Sequence, residues 1–193
     1  MRIIAGTLKS MSFKSSTSKL THPMSEKMRG AIFSSIGDIN GFVVLDAFSG
    51  TGALTLEAVS RGADFVTAIE TNPKNVELIK QNILNLGLKD HTKVIRASVE
   101  SWLNRGSNDF DLVLIDPPYN NIEINTILEL ATRVKDGGIL ALSWPGRLSL
   151  PQFNRLKLVK SKRFGDSQYA LYVALEEALT ISTKRNAGKN NIP

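Results

Sequence analysis

The sequence predicts an α/β protein: parallel strands with helices on both faces of the sheet, extended by a C-terminal antiparallel hairpin. Three observations carry this. Through residues 42–143, short apolar runs rich in β-branched residues alternate with segments of helical periodicity, as in a sheet buried on both faces. Past residue 150 that rhythm stops, and two strand-like segments flank a Gly165-Asp166 turn. The chain has 193 residues, 42% of them hydrophobic, enough to bury a core without disulfides or metals.

The elements follow in order. Residues 3–4 and 11–13 are strand-like pieces around Gly6. Residues 24–36 suit a helix with Met28, Ile32 and Phe33 on one side. Residues 42–46 form the first strand of the parallel series, and residues 53–61 a helix stopped by Gly62. The second strand spans residues 65–69. Asn72 then caps a helix opened by Pro73, with Val76, Ile79, Ile83 and Leu86 at helical spacing and Gly87 as its stop. Residues 92–97 make a third strand, 99–103 a short helix and 110–115 a fourth strand. A helix over 122–134 precedes Gly137-Gly138 and a strand over 139–143. Residues 156–164 and 169–175 form the hairpin. The expected organisation is a small N-terminal target-binding appendage (1–37), a catalytic domain (38–176) and a polar tail (177–193).

Composition narrows the chemistry. The chain lacks cysteine, which excludes disulfide scaffolds, thiolate metal sites and cysteine nucleophiles. Two histidines make a histidine-rich metal site unexpected, so no metal is predicted. Without an apolar run of about 18 residues or a secretory leader, the expectation is a cytoplasmic, monomeric protein with no membrane partner. Charge is unevenly spread: residues 1–30 carry +5, residues 31–144 carry −5 and residues 145–193 carry +6. Basic ends around an acidic middle suit a nucleic-acid partner. The N-terminal candidates for phosphate contact are Arg2, Lys9, Lys14, Lys19 and Arg29, with Lys27 beside them. A second basic stretch holds Lys157, Lys160, Lys162 and Arg163.

Three motifs carry chemistry. Asp46-Ala47-Phe48-Ser49-Gly50-Thr51-Gly52 follows a strand and opens a helix, where glycines let the backbone approach a ligand. It is not the dinucleotide fingerprint, because Thr55 stands at the third glycine position. Glu70, ending the second strand, can accept from both hydroxyls of a ribose. Asp116-Pro117-Pro118-Tyr119 follows the fourth strand. A carboxylate and a backbone carbonyl can each accept one hydrogen of an exocyclic amine, aiming its lone pair. Proline holds that carbonyl rigid, and an aromatic ring can stack on an extruded base. Trp144 is open between core packing and target stacking.

Together the loop, the distant Glu70 and the DPPY tetrad resemble class I S-adenosylmethionine-dependent N-methyltransferases, and among them the RsmD family, which methylates the N2 amine of a guanine in small-subunit (16S) ribosomal RNA. Met1-Arg2-Ile3-Ile4-Ala5-Gly6, the segment His22 onward through Phe33, and the stretch from Leu54 to Ala63 are similar to that family. The sequence departs from it at His22, Met24 and Gly30, and Ala97-Ser98 replaces a customary Asp. The resemblance implies a class I (Rossmann-like) sheet and S-adenosyl-L-methionine as cofactor, bound by Asp46, Ser49, Gly50, Gly52, Glu70 and Ser98. It implies Asp116, Pro117 and Tyr119 as catalytic, Asp116, Pro118 and Tyr119 against the target base, and ribosomal RNA or an assembling small subunit as partner. The alternatives are methylation of adenine N6 in DNA or of a protein amide, and a non-catalytic RNA-binding assembly factor.

Overall fold

The computed structural model describes residues 1–15, 24–105 and 109–176. Lys19, His22 and the tail 177–193 lie outside them. Helix α1 (Glu26–Ile36) begins at Ser25, whose hydroxyl accepts from the Met28 N–H, and ends at Gly37 with φ 92°, a left-handed turn suited to glycine. There follow β1 (Val43–Asp46), α2 (Ala53–Ser60), β2 (Phe65–Glu70), α3 (Pro73–Asn85), β3 (Thr92–Arg96), α4 (Val99–Leu103), β4 (Phe110–Ile115), α5 (Ile124–Ala131), β5 (Val134–Pro145), β6 (Leu156–Phe164) and β7 (Ser167–Ala174). Asn72 caps α3 through its side chain with Pro73 in the first turn, as its sequence predicts.

One seven-stranded sheet results, in the order β3-β2-β1-β4-β5-β7-β6. Strand β7 runs antiparallel to both of its neighbours, β5 and β6, and the other pairings are parallel. The order reverses between β1 and β4, and that switch point opens a crevice at the carboxyl ends of the strands. Alternating side chains divide the strands between two cores. Val44, Val66, Leu112, Leu114, Ala141, Tyr169 and Leu171 pack with buried residues of α1, α2 and α3. Leu45, Ile69, Val113, Ile115, Leu142 and Tyr172 pack with those of α4 and α5.

One feature departs from expectation. Strand β5 is longer than 139–143 and contains Gly137-Gly138, because Phe110 pairs with Val134 and Leu112 with Ile139. The intervening residues bulge out, and Gly137 takes φ 72°. The helix before it accordingly stops at Ala131 rather than near residue 134. The N-terminal segment packs onto the sheet domain. Ile3 and Phe13 are buried in the same core as α1 and α2. The α2 carboxylate of Glu57 accepts the N–H groups of Ile4 and Ala5. Ser60 donates to the Ala5 carbonyl. On α3, Asn82 exchanges two bonds with the backbone of Lys14. Gly6 allows the close approach: its φ is +85°, and a Cβ there would lie 1.7 Å from the Ser60 carbonyl oxygen.

Candidate active site

The sheet gathers the predicted acids at one end. Asp46 pairs with Ala68 of β2 and Leu114 of β4, so Glu70 and Asp116 each lie two residues further along adjacent strands. Asp46 is fully buried beneath the glycine loop. Thr55 donates its N–H (3.1 Å) and hydroxyl (2.6 Å) to Asp46 Oδ2, tying the start of α2 to the end of β1. Oδ1 is buried without a partner. Burial pushes the Asp46 carboxyl up to about 7, the Thr55 bond opposing it and the charge of Asp116 adding to it. Thr55 is thus a working member of the site that its departure from the dinucleotide pattern had concealed; its place three residues after Gly52, facing a strand-end acid, is the available signal.

The loop residues separate by task. The Ser49 hydroxyl donates to the Asp46 carbonyl at 2.9 Å and shapes the loop from within. Gly50 has φ +53°, and a Cβ there would touch nothing closer than the Phe48 oxygen at 4.0 Å; open space lies beside it. At Gly52, φ is +78° and a Cβ would press on the Ile79 side chain at 3.1 Å, so this glycine lets α3 pack against the loop. Glu70 is half-buried; its Oε1 accepts from the Asn72 N–H at 2.7 Å. Among the described residues nothing donates to Oε2. Ser98 caps α4, accepting from the Ser101 N–H at 3.1 Å.

The tetrad leaves β4 at the switch point. Asp116 is pushed up to about 6 by burial, opposed by a hydrogen bond from Ser143. Pro117 is buried and Pro118 exposed. The Pro118 carbonyl accepts from Asn121 at 3.1 Å, whereas the Pro117 carbonyl has no partner among the described residues. The Tyr119 hydroxyl lies 2.6 Å from Ser143 Oγ. Either hydroxyl of this pair can be the donor. Burial pushes the Tyr119 phenol up, keeping it protonated. Ser143, buried at the end of β5, was not visible as a site residue in the sequence, because only sheet pairing brings it opposite the tetrad.

Two further expectations are resolved. Arg29 cannot contact RNA: it is fully buried, with its guanidinium 3.5 Å from Glu57 and donating to the Arg2 carbonyl at 2.7 Å. Its position on the inner face of α1 makes it a clasp for the N-terminal segment. Arg2, Lys9 and Lys14 are exposed, Arg2 pairing with Glu26 at 3.0 Å. Trp144 is 5% exposed and donates to the Ser149 carbonyl, which makes it a packing residue.

A model of the family described as conserved hypothetical protein 95 matches residues 1–173. The candidate rRNA methyltransferase YlbH of Bacillus subtilis is 28% identical over 180 residues, covering 89% of this chain and 98% of its own. Ribosomal RNA small subunit methyltransferase D of Buchnera aphidicola is likewise 28% identical over 180 residues, covering 90% and 91%. Among solved structures, a candidate methyltransferase from Escherichia coli superposes with a TM-score of 0.83 at 25% identity, over 92% of this chain and 99% of its own.

Proposed function

Because this chain belongs to the conserved hypothetical protein 95 family, the RsmD-like methyltransferases, we propose that it methylates the N2 amine of a guanine in small-subunit ribosomal RNA. Its activity is methyl transfer from S-adenosylmethionine. The residues present fit that cofactor. The loop opens beside Gly50, Glu70 keeps one carboxylate oxygen for a ribose hydroxyl, and Asp46 holds an unpartnered buried oxygen beneath the loop, a counter-charge for a cationic ligand. When bound, the cofactor supplies an electrophilic methyl group on a sulfonium.

The observation that carries the target reading is the tetrad at the switch point, fixed by Ser143. A guanine N2 amine is a weak nucleophile because its lone pair is delocalised into the ring. The Asp116 carboxylate accepts one of its hydrogens and the Pro117 carbonyl the other. This draws the nitrogen towards tetrahedral geometry and aims its lone pair. The Tyr119 ring, held by its hydroxyl on Ser143, supplies a stacking face, and Pro118 lies exposed beside it. Asp116 must be ionised to accept, and it receives the proton once the nitrogen has become positively charged. Orientation of this kind is a large part of catalysis in two-substrate reactions. Arg2, Lys9 and Lys14 serve as N-terminal phosphate contacts.

The test is methylation of small ribosomal subunits purified from a strain lacking the gene, followed by nucleoside mass spectrometry. New N2-methylguanosine is expected. Methylated adenine, or methyl groups on protein alone, would reject the guanine assignment.

A further inference from the structure

From the register of the edge hairpin we infer that Lys157, Lys160 and Lys162 form a phosphate-docking row for the RNA whose base enters the tetrad, resting on the RNA methyltransferase reading. Strand β6 is the last in the sheet, and from Lys157 to Arg163 every side chain is exposed. In an unbroken strand Lys157 would point away from Lys160 and Lys162, since side chains alternate between faces. Here the register breaks between Leu158 and Lys160, so Val159 is an extra residue. Lys157 then pairs with Val173, Lys160 with Leu171 and Lys162 with Tyr169, whereas Leu158 pairs with Tyr172 and Arg163 with Gln168. Leu171 and Tyr169 belong to the core beneath α1, and Tyr172 to the opposite core. The bulge thus brings all three lysines to one face.

That face also carries the chemistry. Tyr169 pairs with Ser143 of β5, so Lys162, Tyr169 and Ser143 form a transverse row on one side of the sheet. Lys162 sits two strands, about 10 Å, from the serine that holds Tyr119. Helix α1 covers β7, with the Ser35 hydroxyl 2.9 Å from the Tyr169 hydroxyl, and leaves β6 uncovered beside it. Lys160 and Lys162 stand about 6.6 Å apart along the strand. Among the described residues none of the three enters an ion pair, and Lys162 lies over the Phe164 ring at 5.5 Å. Lysines and bulges also guard an edge strand against pairing with another chain. Edge protection needs charge, but not three of the strand's four cations on the face that holds the acceptor site.

The experiment measures binding of gene-deleted small ribosomal subunits across a salt series. It uses wild type, the triple variant Lys157→Gln/Lys160→Gln/Lys162→Gln, and Arg163→Gln as the opposite-face control. Each lysine on a phosphate contributes about 0.7–0.9 log units of affinity per log unit of salt. The triple variant should therefore flatten the slope by about 2.1–2.7 and weaken binding at least tenfold at low salt, with the wild-type slope kept in Arg163→Gln. Unaltered affinity for S-adenosylhomocysteine shows that the triple variant is folded; if that affinity is lost, the single Lys162→Gln variant must flatten the slope by about 0.7–0.9. A wild-type slope in the triple variant, with or without self-association through β6, overturns the docking row while leaving the RNA reading intact. Equal flattening by Arg163→Gln overturns the one-face assignment. Absence of methylation and of salt-dependent binding in wild type overturns both.

Discussion

Replacing Asp46 by Asn should make the cofactor-free protein less sensitive to rising pH. Asp46 ordinarily titrates near 3.8 and is raised to about 7 in the fold, chiefly by burial. A carboxyl raised on folding favours the native state while it stays protonated; that stability is complete below the unfolded value and is lost as pH rises through the folded one. At about 1.4 kcal/mol per pKa unit, the wild-type protein forfeits up to ~4 kcal/mol at pH 8 and roughly half of that at pH 5.5. The group is fully buried, so solvent screening takes little from this ceiling. In Asp46→Asn the side-chain oxygen can still accept both Thr55 bonds, but the new NH2 lands where Oδ1 has no partner, at a cost of about 1–3 kcal/mol. The absolute gain is therefore partly cancelled, and the pH dependence is the cleaner quantity. Urea unfolding at pH 5.5 and pH 8, extrapolated linearly, should show wild type losing about 2 kcal/mol more than the variant between the two. Cofactor affinity should fall in the same variant, because the counter-charge beneath the loop is gone. Equal losses in both proteins would refute the assignment of a raised, uncompensated carboxyl at this position.

Three other expectations follow from the site and its supports. Asp116→Asn should lower single-turnover methylation about 100-fold or more while cofactor binding, read by calorimetry, persists; in wild type, kcat/KM should fall as pH drops through about 6, because the acceptor must be ionised. Ser143→Ala removes the bond that lowers Asp116, so the acid limb of that pH profile should move to higher pH, and Ser143→Thr should move it back. Gly6→Ala should destabilise the fold by more than about 1 kcal/mol in thermal or urea unfolding, since the site combines a left-handed backbone with a carbonyl in the space a methyl group would need.

Much of this molecule can be read along the chain. The strand and helix series, the Asn72-Pro73 start of α3, the hairpin turn at Gly165-Asp166 and the acids at strand ends all rest on local patterns. Such patterns act over a few residues: periodicity, capping and turn chemistry need no knowledge of distant neighbours. The same holds for the DPPY tetrad, whose four residues are contiguous.

What the chain order conceals depends on pairing between segments far apart in sequence. Arg29 reads as a surface cation within a basic stretch, yet the packing of α1 onto α2 buries it against Glu57, 28 residues away. Ser143 reads as an ordinary strand residue until β5 lies beside β4 and brings it to Tyr119. Thr55 becomes a site residue only when the loop folds α2 back over β1 to place its hydroxyl on Asp46. The lysines of β6 share a face only because its pairing with β7 slips at Val159. Local propensity sets which segments become strands and helices. Register and burial, which depend on the whole sheet closing at once, decide which side chains meet and which charges leave water.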